Sequence, residues 1–187
     1  MNLILFGPPG AGKGTQAKYL VKKLNNFQIS TGDMLRDEIQ KNTEIGKKIV
    51  EDMSDGRFVS DEIVNKLIEK IVNDPDKKNK LIFDGYPRSL TQAMNLEKLL
   101  VRTNQTIDFV FFLNVNKETI INRIKQRKTI ENRSDDDLNT IIKRYDKYME
   151  TTKPVLDFYS KNSNFYELDG SSKIEEITAK INSFINV

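Results

Sequence analysis

Residues 7–15 read Gly-Pro-Pro-Gly-Ala-Gly-Lys-Gly-Thr and directly follow the apolar run Leu3–Phe6. A strand, a glycine-rich turn and a lysine in this order are typical of a phosphate-binding loop, because glycines let consecutive backbone N–H groups point at one centre. The helix predicted after the turn adds the positive end of its dipole. Lys13 can then reach the terminal phosphates of a nucleoside triphosphate. The segment therefore predicts the class of ligand.

One position departs from the usual phosphate-binding loop. Gly14 stands where such loops ordinarily have Ser or Thr, whose hydroxyl binds magnesium, and Thr15 comes one residue later. The sequence therefore does not predict a direct bond between a loop hydroxyl and Mg²⁺.

The composition restricts the chemistry. The chain has 187 residues, 37% hydrophobic and 30% charged, which suits one compact domain with room for small inserted segments. It contains no cysteine and no histidine, which excludes disulfides, thiol or imidazole catalysis and any Cys/His zinc site. The chemistry must depend on Lys, Arg, Asp, backbone amides and a metal held by oxygen.

The charge and hydropathy of the chain bear on its partners. The net charge is +3, yet no long Lys/Arg block or basic–aromatic pattern favours nucleic acid. No apolar stretch approaches the length of a membrane span, and no leader-like segment precedes the first strand. We therefore expect a cytoplasmic protein that binds neither nucleic acid nor membrane.

Short apolar runs alternate with helical patterns along the chain. Five runs without polar alternation predict buried strands at Leu3–Phe6, Phe27–Ser30, Leu81–Phe83, Phe109–Leu113 and Phe165–Leu168. Their alternation with helices predicts an α/β fold with a parallel sheet, in which ligands bind beyond the carboxyl ends of the strands. Unusual polar residues follow several of these runs, at Thr31-Gly32-Asp33, Asp84–Arg88 and Asp169-Gly170.

Two stretches interrupt this alternation. Residues 31–75 carry helical patterns with no strand, including one helix for which Ser60 is the predicted N-cap, followed by Asp61 and Glu62 in the first turn. The second stretch, Arg127–Asp137, is polar and lies between two helices.

Four motifs together resemble the adenylate kinases: Gly7–Thr15, Ser30–Arg36, Asp84–Arg88 and Arg133–Asp136. The likeness runs in order over essentially the whole chain. It implies the reaction ATP + AMP ⇌ 2 ADP on a three-layer P-loop kinase fold with a five-stranded parallel sheet. The implied divisions are a core (1–30, 76–122 and 138–187), a helical nucleoside-monophosphate-binding segment at 31–75, here called the acceptor insert, and a short lid at 123–137.

The resemblance implies roles on the donor side. Lys13 and the loop amides hold the phosphates of ATP, and Arg123 stacks near the donor adenine. The implied ATP-binding residues are Gly10, Ala11, Gly12, Lys13, Gly14, Thr15, Arg123, Arg127 and Ser172. Asp84 is expected to orient the Mg²⁺ that accompanies ATP, through water rather than by a direct bond, because Gly14 replaces the usual hydroxyl.

On the acceptor side, the resemblance implies that Arg36 and Arg88 grip the α-phosphate of AMP, while Thr31 and Gln92 face its adenine. The implied AMP-binding residues are Thr31, Arg36, Arg57, Val59, Gly85, Arg88, Gln92, Arg133 and Arg144. The implied catalytic residues, which surround the transferred phosphoryl group, are Lys13, Arg88, Arg127, Arg133 and Arg144. Asp135 and Asp136 position the arginines across the lid.

The residue types agree with this chemistry. Transfer between two phosphates needs no strong base, because the attacking group is already an oxyanion. It needs dense positive charge and exclusion of water. Arg123 and Arg127 lie four residues apart and so share a helix face.

Further expectations follow from the lid and from single positions. The stretch between Arg123 and Arg133 is too short for the small β-domain of long-lid relatives, so we expect no zinc site. We also expect a monomer. Tyr86 stands where the family more often has Phe, and Ser60 where many relatives have Pro; neither change is expected to affect activity.

Two alternatives remain at this stage. A kinase for CMP or UMP has overlapping motifs, but usually Ala in place of Thr31 and Asn in place of Gln92, whereas a Gln amide can pair with the adenine edge in both senses. A non-catalytic adenine-nucleotide sensor would need only the loop and one base pocket, so the full set of arginines favours an enzyme.

Overall fold

A five-stranded parallel sheet forms the centre of the protein. The computed structural model describes residues 1–131 and 137–186, and the side chains of residues 127–131 and of Leu138 lie outside this description. The strands are β1 (Leu3–Phe6), β2 (Phe27–Ser30), β3 (Leu81–Asp84), β4 (Phe109–Asn114) and β5 (Phe165–Asp169). Their order is β2-β3-β1-β4-β5, and all neighbours pair in parallel.

The predicted strands and fold class are confirmed, with small differences at the strand ends. Strands β3, β4 and β5 each continue one residue beyond the predicted end. The reason is that backbone pairing does not stop at the last apolar residue: Leu5 pairs with Asp84, and Asn114 pairs with Asp169.

Helices occupy most of the remaining described chain. They are α1 (Lys13–Leu24), α2 (Thr31–Gln40), α3 (Glu44–Ser54), α4 (Asp61–Val72), α5 (Leu90–Arg102), α6 (Lys117–Glu131), α7 (Leu138–Lys147), α8 (Lys153–Tyr159) and α9 (Ile174–Ile185), with a 3₁₀ turn at Pro75–Lys77. A π-helical turn, Tyr148–Thr152, joins α7 to α8. None of the helices in the described part of the chain combines the length and apolarity needed to cross a bilayer.

The central strands β1 and β3 are buried on both faces of the sheet, which explains why they show no polar alternation, whereas the edge strands β2 and β5 are partly exposed. On one face, Ile4, Phe6 and Phe83 pack with residues of α2 to α5 and α8. On the other, Leu3 and Leu5 pack with residues of α1, α6 and α9. Successive residues of β1 therefore enter opposite cores.

Residues 31–75, the acceptor insert, contain α2, α3 and α4, and polar side chains cap the first two of these helices. Ser30 Oγ accepts from the Asp33 amide at 3.3 Å, and Thr43 Oγ1 accepts from the Gly46 amide at 3.0 Å. Ser60 occupies the N-cap position of α4 as predicted, but its side chain makes no cap hydrogen bond, so the predicted cap is wrong in that respect. Asp61 and Glu62 in the first turn place negative charge at this helix end instead.

Gly46 allows α3 to pass directly over the end of α2. A Cβ added at Gly46 would lie 2.1 Å from the Glu38 carbonyl oxygen, which is backbone and cannot move aside. We expect Gly46→Ala to lower the free energy of unfolding by about 1–3 kcal/mol, as overpacking does. Urea unfolding measures this change.

Gly14→Ala is the matched control for that substitution. Gly14 is also helical, but its added Cβ would meet Asp84 Oδ2 at 3.5 Å, an ordinary contact. Equal urea midpoints for the two variants would contradict the close approach of α2 and α3.

Candidate active site

A cavity of about 780 Å³ lies beyond the carboxyl ends of the strands. Its walls include Gly7 after β1, Gly85 after β3 and Ser171 after β5. β1 and β4 are neighbours, but the chain leaves β1 towards β2 and leaves β4 towards β5, in opposite directions along the sheet. Open parallel sheets bind ligands at such a position.

The glycine-rich loop after β1 is pressed against α6. Gly10 has a φ of 80°, and a Cβ there would lie 2.8 Å from Ile124 Cγ1. Gly12, with a φ of 96°, precedes the first residue of α1. The loop therefore adopts left-handed conformations that favour glycine, and it ends at a helix N-terminus suited to an anion.

Lys13 is folded back over its own loop. Its Nζ donates to the carbonyl oxygens of Gly7 at 2.7 Å and Pro8 at 2.9 Å. The ammonium group is thereby held within the same concavity as the loop amides, where it can meet a phosphate.

Asp84 ends β3 beside this loop. It is 8% exposed, and its Oδ2 accepts from Gln28 Nε2 at 2.9 Å. Its carboxylate lies close enough to Gly14 to contact a Cβ built there. Among residues 1–131 and 137–186, no group of three or more acidic residues is arranged to hold a metal. A Mg²⁺ ion at this site would have to be held mainly by phosphate oxygens and water, with Asp84 as the acidic side chain beside the phosphate-binding loop.

Arginines from several elements meet around the cavity. The pKa of Arg88 is lowered from its usual 12.5 to about 10, mainly by burial and then by the positive charge of Arg144, with a smaller effect of Arg36. Asp84 opposes this change. Arg36 also pairs with Asp33 on α2. A pKa of about 10 leaves Arg88 charged at neutral pH, at a free-energy cost that a bound anion would relieve.

Arg88 is fixed on several sides. Its Nε donates to the Gly85 carbonyl at 2.7 Å, and its own carbonyl accepts from Thr152 Oγ1 at 3.0 Å. Its guanidinium lies 4.9 Å from the centre of the Phe58 ring. These contacts leave its terminal nitrogens as the part suited to a ligand.

Phe58, Thr152 and Gln28 line the cavity, although sequence reasoning gave none of them a role. Phe58 could have been found, because it lies between the predicted residues Arg57 and Val59. Thr152 and Gln28 carried no local signal, since their contacts with Arg88 and Asp84 depend on the tertiary fold.

On the other side of the loop, Arg123 of α6 joins two segments. Its Nη1 donates to the Gly170 carbonyl at 2.7 Å and lies 3.4 Å from the Ala11 carbonyl. Ser172 lines the cavity in the turn after β5, where its Oγ donates to Asp169 at 3.3 Å. Arg123 thus links the glycine-rich loop to this turn.

Most predicted site residues with described side chains share this cavity. Those in its wall are Gly10, Ala11, Gly12, Lys13, Gly14, Thr15, Arg36, Arg57, Val59, Asp84, Gly85, Arg88, Arg123, Arg144 and Ser172. The side chain of Arg127, and the whole of Arg133, Asp135 and Asp136, lie outside the described residues.

Thr31 and Gln92 are buried beside the cavity wall rather than in it. Thr31 Oγ1 donates to the Gly85 carbonyl at 2.9 Å. Gln92 Oε1 accepts from the Arg88 amide at 2.7 Å, and Gln92 Nε2 donates to Asp61 at 2.6 Å. Both side chains support the loop that carries Arg88.

Comparisons with known proteins give a consistent result. The family model described as "Adenylate kinase" matches residues 5–164. The chain is 49% identical to an adenylate kinase of Pelagibacter ubique, over 100% of both chains. It is 43% identical to one of Caulobacter vibrioides (98% of this chain, 96% of the relative), and 38% identical to one of Archaeoglobus fulgidus (99% and 98%).

The clustered arginines predict that simple anions stabilise the empty protein. At ten times its dissociation constant, inorganic phosphate should raise the melting temperature by about 3–6 °C, since that ratio corresponds to about 1.4 kcal/mol. Differential scanning calorimetry measures the shift.

Arg88→Gln should reduce the rise in melting temperature that phosphate causes. The variant lacks the positive charge that is unfavourable in the empty site and that a bound phosphate would stabilise. Sodium chloride at matched ionic strength is the control. An equal rise with chloride, or an undiminished phosphate effect in the variant, would contradict a specific anion site at Arg88.

Proposed function

This chain belongs to the adenylate kinase family, and we infer that it catalyses the reversible transfer of a phosphoryl group from ATP to AMP, giving two ADP and so balancing the adenine nucleotides. The observation that carries this inference is one cavity shared by a phosphate-binding loop and by Arg36, Arg88 and Arg144. The reported relatives, all named adenylate kinases and matched over nearly their full lengths, support the same reaction. They do not favour a CMP or UMP kinase or a nucleotide sensor.

On the donor side, the loop amides and Lys13 would bind the phosphates of ATP. Lys13 Nζ lies within this loop, bonded to the carbonyls of Gly7 and Pro8, and would exchange these acceptors for phosphate oxygens. Arg123, Arg127 and Ser172 would complete this half of the site. To stack on adenine, Arg123 would either break its hydrogen bond to the Gly170 carbonyl or keep that bond and present the plane of its guanidinium group to the base.

On the acceptor side, Arg36 and Arg88 would bind the phosphate of AMP, and Arg144 with Arg133 would reach the groups being exchanged. Arg88 is the strongest candidate because three contacts fix its backbone and Nε. Gly85, Thr31, Gln92 and the backbone at Arg57 and Val59 would surround the base.

Adenylate kinases use Mg²⁺ with ATP, and the ion neutralises phosphate charge during transfer. We propose that Asp84 contacts this Mg²⁺ ion through a water molecule. Gln28 occupies one carboxylate oxygen of Asp84, so the carboxylate is oriented before the nucleotide arrives. With Lys13, Arg88, Arg127, Arg133 and Arg144 around the transferred group, no general base is required.

The acceptor insert and the lid would close over the bound nucleotides and exclude water. Within the described residues, the insert already approaches α7: a Cβ at Gly56 would meet Thr140 Cγ2 at 2.9 Å and Arg144 Cγ at 3.3 Å. Arg144 therefore already lies beside the proposed acceptor-phosphate site at Arg88. We also propose that the protein acts as a cytoplasmic monomer without nucleic-acid or membrane partners.

The direct test is a coupled assay that crosses ATP and GTP with AMP, GMP, CMP and UMP. ADP formed from ATP and AMP, with much lower kcat/KM for the pyrimidine monophosphates, supports the proposal. Preference for CMP or UMP would establish the sister activity, and binding of ATP and AMP without turnover would establish a sensor.

Lys13→Ala should lower kcat by about 10²–10³-fold, because the variant loses a charged donor to the transferred phosphoryl group. Lys22→Ala removes an exposed lysine from the same helix and is the matched control. Single-turnover measurements with saturating ATP and AMP separate the chemical step from binding. A Lys13→Ala rate equal to that of Lys22→Ala would refute the assigned role.

A further inference from the structure

The side-chain amide of Gln92 is held at both ends by groups that dictate its orientation. Asp61 Oδ1 accepts from Nε2 at 2.6 Å, and the Arg88 N–H donates to Oε1 at 2.7 Å. An ionised carboxylate only accepts hydrogen bonds, and a peptide N–H only donates. The two partners therefore select one of the two amide orientations, and the flipped orientation would place donor against donor and acceptor against acceptor.

Asp61 is itself held in place. Its other oxygen, Oδ2, accepts from Ser89 Oγ at 2.7 Å. Ser89 Oγ in turn accepts from the backbone N–H of Gln92 at 3.1 Å. Asp61 opens α4, whereas Ser89 and Gln92 belong to the start of α5. Gln92 is only 3% exposed, so its amide is surrounded by protein groups, and Asp61 and the Arg88 N–H select its orientation.

We propose that Asp61 is a positioning residue that determines the acceptor base by fixing the amide orientation of Gln92. The proposal rests on the proposed contact between Gln92 and the base of the acceptor nucleotide. Gln92 adjoins that site, because it accepts from the backbone N–H of Arg88, which lines the cavity.

The orientation matters because purine bases differ in the order of their donors and acceptors. A primary amide has two N–H groups and two acceptor lone pairs, so one of each remains on Gln92 after its two protein contacts. The pairing edge of adenine presents an amino donor and a ring-nitrogen acceptor, whereas that of guanine presents a carbonyl acceptor and a ring N–H donor. An amide fixed in one orientation matches only one of these orders, and an amide free to flip matches both.

The test compares AMP with GMP as acceptor in Asp61→Ala and Asp61→Asn. Asp61→Asn keeps the size of the side chain, but its own amide can flip and no longer dictates the orientation of Gln92. In both variants we expect the ratio of kcat/KM for AMP to that for GMP to fall by about tenfold or more, with a higher KM for AMP and an unchanged KM for ATP.

Glu69→Ala is the matched control. Glu69 Oε1 accepts from Arg102 Nη2 at 3.1 Å, another side-chain contact between α4 and α5. Its loss should leave the AMP-to-GMP ratio as in the wild type.

Each outcome decides a separate point. An unchanged ratio of kcat/KM for AMP to that for GMP in folded Asp61→Asn would overturn the proposal. An equal rise in KM for AMP and GMP would also overturn it, because it would mean that Asp61 acts only through the backbone of Arg88. Calorimetric titration of the variants with AMP and GMP repeats the comparison without turnover. Failure of the wild type to convert ATP and AMP would refute the proposed function, which the wild-type assay reports on its own.

Discussion

Like charges have to be held together around one cleft, and the rest of the structure follows from that constraint. Burial and the charges of Arg144 and Arg36 disfavour the charged form of Arg88, and Asp84 offsets only part of this effect. Such an arrangement is unfavourable in the empty protein and favourable once an anion lies between the cations. A binding site for the phosphates of two nucleotides is therefore a locally destabilised region that the two cores on either side of the sheet must support.

The fold supports it through contacts that leave little freedom to the loops. The residues after β1, β3 and β5 come from the same edge of the sheet, and side chains of neighbouring helical elements bond to backbone carbonyls after β3 and β5. Thr31 and Thr152 bond to the carbonyls of Gly85 and Arg88, and Arg123 bonds to that of Gly170. Neutral carbonyls orient these side chains without adding charge to the cleft.

The sequence was sufficient to predict the sheet and most of the cavity wall. The central strands could be found because both of their faces are buried, which leaves uninterrupted apolar runs. The motif residues could be found because they follow predicted strands. The π-helical turn Tyr148–Thr152 could not, since a local change in helix pitch has no residue signature. The roles of Thr31 and Gln92 as supports of the Arg88 loop were also hidden, because their partners are set by tertiary packing.

The position of Lys13 has a consequence for the thermodynamics of nucleotide capture. Its ammonium group already bridges two carbonyls of the loop that it serves, so the strand-to-helix connection is ordered while empty. When a nucleotide binds, Lys13 exchanges carbonyl acceptors for phosphate oxygens, and no flexible segment has to be immobilised. Most of the ordering entropy of this half of the site is thus lost during folding rather than during association, which is the condition for a preorganised receptor.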